Sequence, residues 1–384
     1  MSLSISGLGT AVPQFSITQE AMAAFSSRLC CNDVRQAERL QLIFAHSGVN
    51  RRYSTLLEGE STDGNVPQSL YSLDAKGRGP TTGRRMQAYE AGAPPLAIAA
   101  AKNALADAGL APGDVTHLVS VSCTGFMAPG IDLALQEGLG LKPTVERTHL
   151  GFMGCHGALN GLKVARGCLA VEPQARVLVC AVELCTLHFF TEWDQEKMVA
   201  NALFADGAAA VICESLPVTT GRARAGDSPQ SDTAHNSPNT RDEPWNLTAV
   251  GTVRIPDSAT AMTWRIGDFG FEMGLSRRIP ELIAVHLRTW VVSWLDRQGM
   301  RLSDVGSWAV HPGGPRILDA VEMALSLPPS ALDHSRTVLA EYGNMSSPTG
   351  LFILERMRRQ HAPRPCVALG FGPGMVVEAA LFIE

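Results

Sequence analysis

The chain reads as a duplicated α/β protein. Two observations point there: strand-like apolar runs alternate with helical patterns, and one half of the sequence repeats in the other without a gap. The 36 glycines and 23 prolines cut the sequence into many short elements. At roughly 150 residues per domain, 384 residues suit two domains or one large duplicated one. Taken in order, Ile5–Gly9 is a short strand ended by the turn at Pro13. Leu96–Gly109 has helical apolar spacing and an Ala-rich composition, with Gly109 as its stop. Val115–Ser122, Val177–Val182 and Ala208–Cys213 are near-continuous apolar runs, as expected of strands covered on both faces. Strands alternating with helices predict an α/β protein with largely covered sheets.

The repeat joins these elements. AKNALADAGLAPGDVTHLVSVSCTG aligns with VVSWLDRQGMRLSDVGSWAVHPGG, so that Gly109 meets Gly299 and Asp114 meets Asp304, an offset of 190 (304 − 114). The same offset sets Val177 on Val367 and Cys155 on Met345. A shared register across three separate segments implies one α/β unit used twice, with corresponding turns at corresponding places. Residues 219–244 (TTGRARAGDSPQSDTAHNSPNTRDEP) carry almost no large apolar side chain and read as a surface insertion. The expected division is 1–218, a 219–244 loop, and 245–384.

Composition excludes several function classes. The hydrophobic share is 45% and the charged share 18%, which argues for a buried core and against disorder as the main state. A net charge of −5 gives no reason to expect a polyphosphate-binding surface. No apolar run is long enough to span a bilayer, and the start MSLSISGLGTAVP lacks the pattern of a secretory signal. Nine cysteines without framework spacing suggest free thiols in a reducing compartment, the cytoplasm. No His/Cys spacing suits zinc, and Gly370–Gly374 (GFGPG) lacks the Lys-Ser/Thr and following helix of a nucleotide loop, so no cofactor is expected. That turn instead offers open backbone able to wall a cavity at close approach.

Three residues make joint chemical sense. Cys155, in HLGFMGCHGALNGLKVARG, precedes a buried helical pattern whose positive N-terminal end should favour a thiolate, a good acyl acceptor. His311, in SWAVHPGGPRI, ends an apolar run that Pro312, Gly313 and Gly314 stop abruptly. Asn344, in EYGNMSSPTG, sits by the repeat in the turn corresponding to that of Cys155. Taken alone, each has a plain structural reading: a small buried thiol, a satisfied turn histidine, a helix cap. Together, an imidazole N–H and a carboxamide N–H can point at one thioester oxygen and stabilise the charge that builds there as a malonyl group loses carbon dioxide. An Asp or Glu in place of Asn344 would repel that charge. His156, beside the thiol, should point away from these partners and act structurally.

HPGGPRILDAVE, EYGNMSSPTGLFIL, ALFADGAAA and the terminal GFGPG resemble signatures of the type III polyketide synthases, the chalcone synthase-like enzymes of the thiolase-like superfamily. The resemblance covers almost the whole chain apart from 219–244. It implies a thiolase-like fold of layered α/β/α/β/α form with two mixed sheets, and a homodimer. It implies Cys155 as nucleophile, His311 and Asn344 as activators, acyl-CoA starters, malonyl-CoA extenders and iterative condensation. By the same resemblance, Phe204 and Met273 stand at two gate positions, the second usually Phe. Cys123, Cys185, His188 and Trp264 stand at cavity positions, Trp264 where chalcone synthases carry Gly. Ser346, Gly372 and Pro373 also fall on substrate-binding positions. At the CoA entrance Arg39 is kept, but Leu42 and His46 replace two cations, so an acyl carrier protein is an alternative donor. A single-round ketoacyl synthase and a non-catalytic scaffold paralogue are the competing readings.

Overall fold

The computed structural model describes residues 3–61, 66–73, 79–216 and 245–383. The 219–244 segment therefore lies outside the described residues.

The first unit begins with β1 (Leu3–Ala11), β2 (Ser16–Thr18), α1 (Gln19–Cys30), α2 (Val34–Ala45) and β3 (Arg51–Tyr53). Thr18 and Asp33 cap α1 and α2, their side chains accepting from the backbone N–H of Ala21 and Gln36. Next comes α3 (Thr82–Ala108), which starts well before the expected Leu96 and runs straight through Pro94 and Pro95. Its alanine face explains why. A Cβ at Gly9 would lie 2.2 Å from the Ala104 nitrogen, and one at Gly7 would lie 2.3 Å from the Ala104 oxygen. The α3 backbone thus rests directly on β1, and that packing outweighs the local cost of proline. The unit continues with β4 (His117–Ser122), α4 (Ile131–Leu139), β5 (Glu146–Gly151), α5 (Gly157–Val171), β6 (Val177–Leu184), α6 (Gln195–Leu203) and β7 (Asp206–Ser215).

The second unit contains β8 (Trp245–Arg254), the hairpin β9 (Met262–Gly267) and β10 (Gly270–Leu275), then α7 (Ile279–Asp296) and β11 (Ser307–Val310). It closes with α8 (Pro315–Leu325), α9 (Asp333–Tyr342), α10 (Pro348–Arg359), β12 (Cys366–Gly372) and β13 (Val376–Ile383).

The duplication is visible in the strand ladder. In the order β4-β6-β7-β1 the first pair is parallel and the next two antiparallel, and β11-β12-β13-β8 repeats that order and sense. Gly109 caps α3 and Gly299 sits in the turn just beyond α7, both in the left-handed region, at φ 66° and 71°. Asp114 and Asp304 both accept from the backbone N–H three residues earlier.

One expectation needs correction. The two sheets are joined, because β1 and β8 pair antiparallel over Leu3–Ile5 and Trp245–Leu247, giving one nine-stranded mixed sheet. The layering survives. Leu159, Leu162 and Ala165 of α5 and Leu351, Ile353 and Met357 of α10 form the central core with inward faces of both halves. The outer faces are covered by α3 and α4 on one side and by α7 and α8 on the other. The result is a thiolase-like α/β/α/β/α stack with α5 and α10 as its buried middle layer.

Candidate active site

The two middle-layer helices begin at the same place. A single 3₁₀ turn, Gly154–His156, carries Cys155 into α5. Gly154 has φ 69°, and a Cβ there would meet Pro373 Cδ at 2.4 Å. The turn after β12 is therefore pressed against the cysteine turn, as the close-approach reading of GFGPG requires. Gly372 serves the same purpose on the other side, where a Cβ would fall 2.2 Å from His156 Cδ2.

Asn344 is held from both sides. Its N–H donates to the Leu203 carbonyl at 2.9 Å, and its carbonyl accepts from Ala205 N–H at 2.9 Å. Gly343 (φ 75°) permits this, since a Cβ there would sit 3.0 Å from both Ala205 Cβ and the Leu203 oxygen. The Ser346 N–H donates to Asn344 Oδ1 at 2.8 Å. The oxygen of the carboxamide is thereby engaged, and its NH₂ is the end that hydrogen-bonds Cys155. Ser346, at φ 57°, hydrogen-bonds Cys155 as well and lies 3.5 Å from Cys123 Sγ. Backbone held in the left-handed region at non-glycine residues costs free energy and clusters at working sites; Phe152 (φ 57°) is a second case beside Cys155.

The thiol does not rest as a thiolate. Protein encloses Cys155 on all sides apart from a partial opening to the cavity, and burial pushes it up to about 12. Hydrogen bonds from Ser346, Asn344 and its own backbone N–H oppose that rise, and the buried Glu183 carboxylate adds to it. Desolvation outweighs the helix end that the sequence makes visible.

His311 follows β11, its N–H fixed to the Leu369 carbonyl at 2.8 Å. It is buried, and neither ring nitrogen has a hydrogen-bond partner in the protein. Burial, with the nearby His156 in support, lowers it to about 3, so the ring is neutral. A buried imidazole with both nitrogens unpaired costs about 1–3 kcal/mol per group, a cost expected where a ligand supplies the partner. His156 is tied elsewhere, as expected of a structural residue: its Nδ1 faces Asn160 Oδ1 at 2.7 Å, and Asn160 Nδ2 donates to Glu378 at 3.2 Å.

A narrow apolar cavity opens at Cys155, lined among others by Cys123, Cys185, Phe204, Trp264, Met273, Ser346 and Pro373. His188 lies one step back: its Nε2 donates to the Thr124 carbonyl at 2.6 Å, its Nδ1 accepts from Phe271 N–H at 2.9 Å, and its ring stacks on Phe271 at 4.2 Å. Burial lowers it to about 3. Trp264 donates from Nε1 to the Cys123 carbonyl at 2.6 Å and meets the His188 ring edge-on at 5.3 Å. Gly372 packs under His156 rather than lining the cavity. Arg39 lies on the exposed face of α2, as do Leu42 and His46.

Sequence reasoning missed Glu183. Fully buried, it accepts from Cys123 N–H (2.9 Å), Thr124 N–H (3.0 Å), Thr124 Oγ1 (2.7 Å) and Ser347 Oγ (2.7 Å). It thus ties the ends of β4 and β6 to the start of α10. Its signal was a lone acid closing the apolar run VLVCAVEL. Thr124 and Met262, which also line the cavity, were missed too. Among the described residues, no group of three or more His, Cys, Asp or Glu is arranged to hold a metal ion, and no helix is long and apolar enough to cross a membrane.

Comparison with known proteins now bears on this geometry. The sequence profile of the N-terminal domain of chalcone and stilbene synthases matches residues 2–217, and that of their C-terminal domain matches 247–383. The chain belongs to the chalcone and stilbene synthase family. It is 33% identical to the bisdemethoxycurcumin synthase of Oryza sativa subsp. japonica, over 97% of this chain and 90% of that protein. It is 31% identical to the 1,3,6,8-tetrahydroxynaphthalene synthase of Streptomyces peucetius subsp. caesius, over 98% of this chain and 92% of the relative. The crystal structure of PKS-I from the brown alga Ectocarpus siliculosus superposes with a TM-score of 0.88 at 28% identity, covering 100% of this chain and 98% of that one. As a member of this family the chain is a type III polyketide synthase, an acyltransferase-type enzyme.

Proposed function

We propose that Cys155 carries the growing acyl chain and that His311 and Asn344 stabilise the enolate formed from malonyl-CoA. Two observations support this: a carboxamide that hydrogen-bonds the Cys155 thiol, and a buried, neutral imidazole with no partner of its own. The Asn344 carboxamide turns its NH₂ to Cys155, and the buried His311 ring has no protein partner for either nitrogen.

In the first step the Cys155 thiol gives up its proton to neutral His311 as its sulfur attacks the starter thioester, and the CoA thiolate leaves with that proton. Malonyl-CoA then binds with its thioester oxygen toward His311 and Asn344. Its C–C bond to the carboxylate breaks, carbon dioxide departs, and the electron pair becomes an enolate held by two N–H donors. The enolate carbon attacks the Cys155 acyl carbonyl, forming a new C–C bond and releasing the sulfur. The product, one ketide longer on CoA, returns to Cys155 for another round and at the end is released or cyclised. Each preorganised donor is worth about 3 kcal/mol.

Phe204 and Met273 serve as gate, and Cys123, Cys185, Trp264, Ser346 and Pro373 shape the product. Loss of two cations around Arg39 weakens attraction for free CoA, which favours a carrier protein as an alternative donor. The working form is a homodimer in the cytoplasm, the latter supported by nine unpaired thiols. The 1–218 and 245–384 halves, separated by a 219–244 insertion, supply the thiol and the two donors respectively.

The test is mass spectrometry of products formed from acyl-CoA starters and labelled malonyl-CoA. Products with two or more added acetate units support iteration, whereas single additions favour a one-round synthase. Absence of any adduct on Cys155 favours a scaffold.

A further inference from the structure

Three buried ring nitrogens near the end of β12 have no hydrogen-bond partner among the described residues: both of His311 and the Nε2 of His156. The strand register sets these two rings side by side. Along β11 and β12, Ala309 pairs with Ala368 toward the central core, while Trp308, Val310, Val367 and Leu369 face the outer one. One residue beyond the last pair, Val310 with Leu369, the alternation turns His311 inward and level with Gly370. His156 stands over that same glycine, where a Cβ would lie 2.9 Å from the His156 Cβ. Its Nε2 lies 2.3 Å from the place a Cβ would take on Gly372. Two glycines thus clear the ground on which the two imidazoles meet.

The other nitrogen of His156 is fixed. Asn160 Nδ2 donates to Glu378, so Asn160 turns its Oδ1 to His156 Nδ1, which must carry the hydrogen. Glu378 is held in turn by Lys163 and by the Thr252 hydroxyl. His156 Nε2 therefore keeps a lone pair. We infer that His156 is a positioning residue for His311: one bound water joins its Nε2 to the His311 nitrogen farther from Cys155. His156 touches no substrate and acts through His311, so the inference rests on His311 taking the Cys155 proton. When it does so, both His311 nitrogens carry hydrogen, and the far one needs an acceptor. The water accepts that N–H and donates onward to the His156 lone pair. No proton leaves His311 on this side; the one it took departs with the CoA thiolate. When His311 is instead the neutral donor to a thioester oxygen, its far nitrogen is a lone pair, and the same water turns to donate to it.

The charge state of the pair suits this link. Burial lowers His156 below the ordinary histidine range; its bond to Asn160 and the Glu378 carboxylate oppose that, and Lys163 adds to it. A protonated His156 would repel a proton on His311, whereas a neutral one offers a lone pair. His311 is neutral through burial as well. A buried nitrogen without a partner costs free energy, and one internal water removes that cost at both rings together.

The experiment follows two rates: single-turnover acylation of Cys155 by acetyl-, hexanoyl- and p-coumaroyl-CoA, read by mass spectrometry, and acetyl-CoA formation from malonyl-CoA. It compares the wild type with His156→Phe, His156→Gln and Asn160→Leu, each checked by thermal melting. A hydrogen bond to a charged group is worth about tenfold or more in rate. His156→Phe keeps a ring and removes the acceptor, so acylation should fall about tenfold, and further than decarboxylation, which meets only neutral His311. His156→Gln returns an amide oxygen near the Nε2 position and should bring acylation back to within about threefold of wild type. Asn160→Leu keeps the His156 ring but frees its tautomer, and should slow acylation severalfold. A crystal structure of the wild type should show a water within hydrogen-bond distance of both rings. Where His156→Phe does not melt as the wild type does, Asn160→Leu and that crystal structure decide. Unchanged acylation in His156→Phe and Asn160→Leu, equal losses in the two rates, no rescue by glutamine, or rings packed together without a water overturns the His156 link alone. No Cys155 adduct in the wild type, or undiminished acylation in His311→Ala, overturns the reading of Cys155 and His311 and the link with it.

Discussion

Replacing Asn344 by Asp changes one atom and reverses the electrostatics of the site. The backbone clamps to Leu203 and Ala205 do not involve the side chain, and Oδ1 keeps its bond from Ser346 N–H. What changes is the group facing Cys155: an N–H donor becomes a carboxylate oxygen. Loss of one preorganised donor costs about 3 kcal/mol at the transition state. A negative charge at about 4 Å from the developing enolate, at an effective dielectric constant of about 20, adds roughly 4 kcal/mol. Together these reduce decarboxylation by about 10⁵-fold, at about 1.4 kcal/mol per factor of ten. Burial also raises the carboxyl group's affinity for a proton, and the protonated form carries no charge and offers an O–H donor. The deficit should therefore shrink toward the roughly 10²-fold loss of Asn344→Ala as pH falls. The assay is acetyl-CoA formation from malonyl-CoA between pH 6 and 9. An Asn344→Asp enzyme within tenfold of wild type at pH 9 would refute the assignment of this carboxamide as an enolate donor.

Alkylation of resting Cys155 by iodoacetamide should accelerate about tenfold per pH unit from pH 7 to 10, as expected of a thiol pushed up to about 12; a plateau below pH 7 contradicts this. His311 and His188, both at about 3 when folded and near 6.5 when unfolded, take up protons more readily in the unfolded chain. Their contribution is present above pH 6.5 and is lost as pH falls toward 3, about 2 kcal/mol each between pH 6.5 and 4.5. The acid limb of urea-unfolding stability should be shallower in His311→Gln, and an identical limb refutes the shift. Glu183→Gln sets an NH₂ group against donors that now meet a carboxylate, and should cost about 2–4 kcal/mol in the same assay. Trp264→Gly removes the pinned indole and should lengthen or broaden the product range by mass spectrometry; unchanged products would show that the ring does not bound the cavity.

Much of this was legible in residue order. The offset that paired Asp114 with Asp304 carried the matching strand ladders with it, because local turn chemistry repeats wherever the unit repeats. His311 stood out because an apolar run stops there at proline and glycine, Cys155 because it opens a buried helical pattern, and Asn344 because the repeat sets its turn on that of Cys155. The protonation state of Cys155 did not follow, since a helix end is a local feature and desolvation depends on everything packed around the sulfur. The joining of the sheets was hidden for a similar reason: pairing of Leu3–Ile5 with Trp245–Leu247 spans most of the chain and leaves no local mark. Glu183 escaped notice because one acid at the end of an apolar strand gives no spacing to read. The start of α3 was missed because Pro94 and Pro95 signal a break that contact with β1 overrides.

The seam between β1 and β8 also orders events in time. On the ribosome β1 emerges well before β8, the strand that completes its second side, which is made more than two hundred residues later, and α10 is later still. Until that last helix slides between the halves, the sulfur has neither the carboxamide nor the serine beside it. A chain made only through α5 therefore holds the cysteine without its neighbours, and the cavity around the sulfur is complete only once α10 is in place.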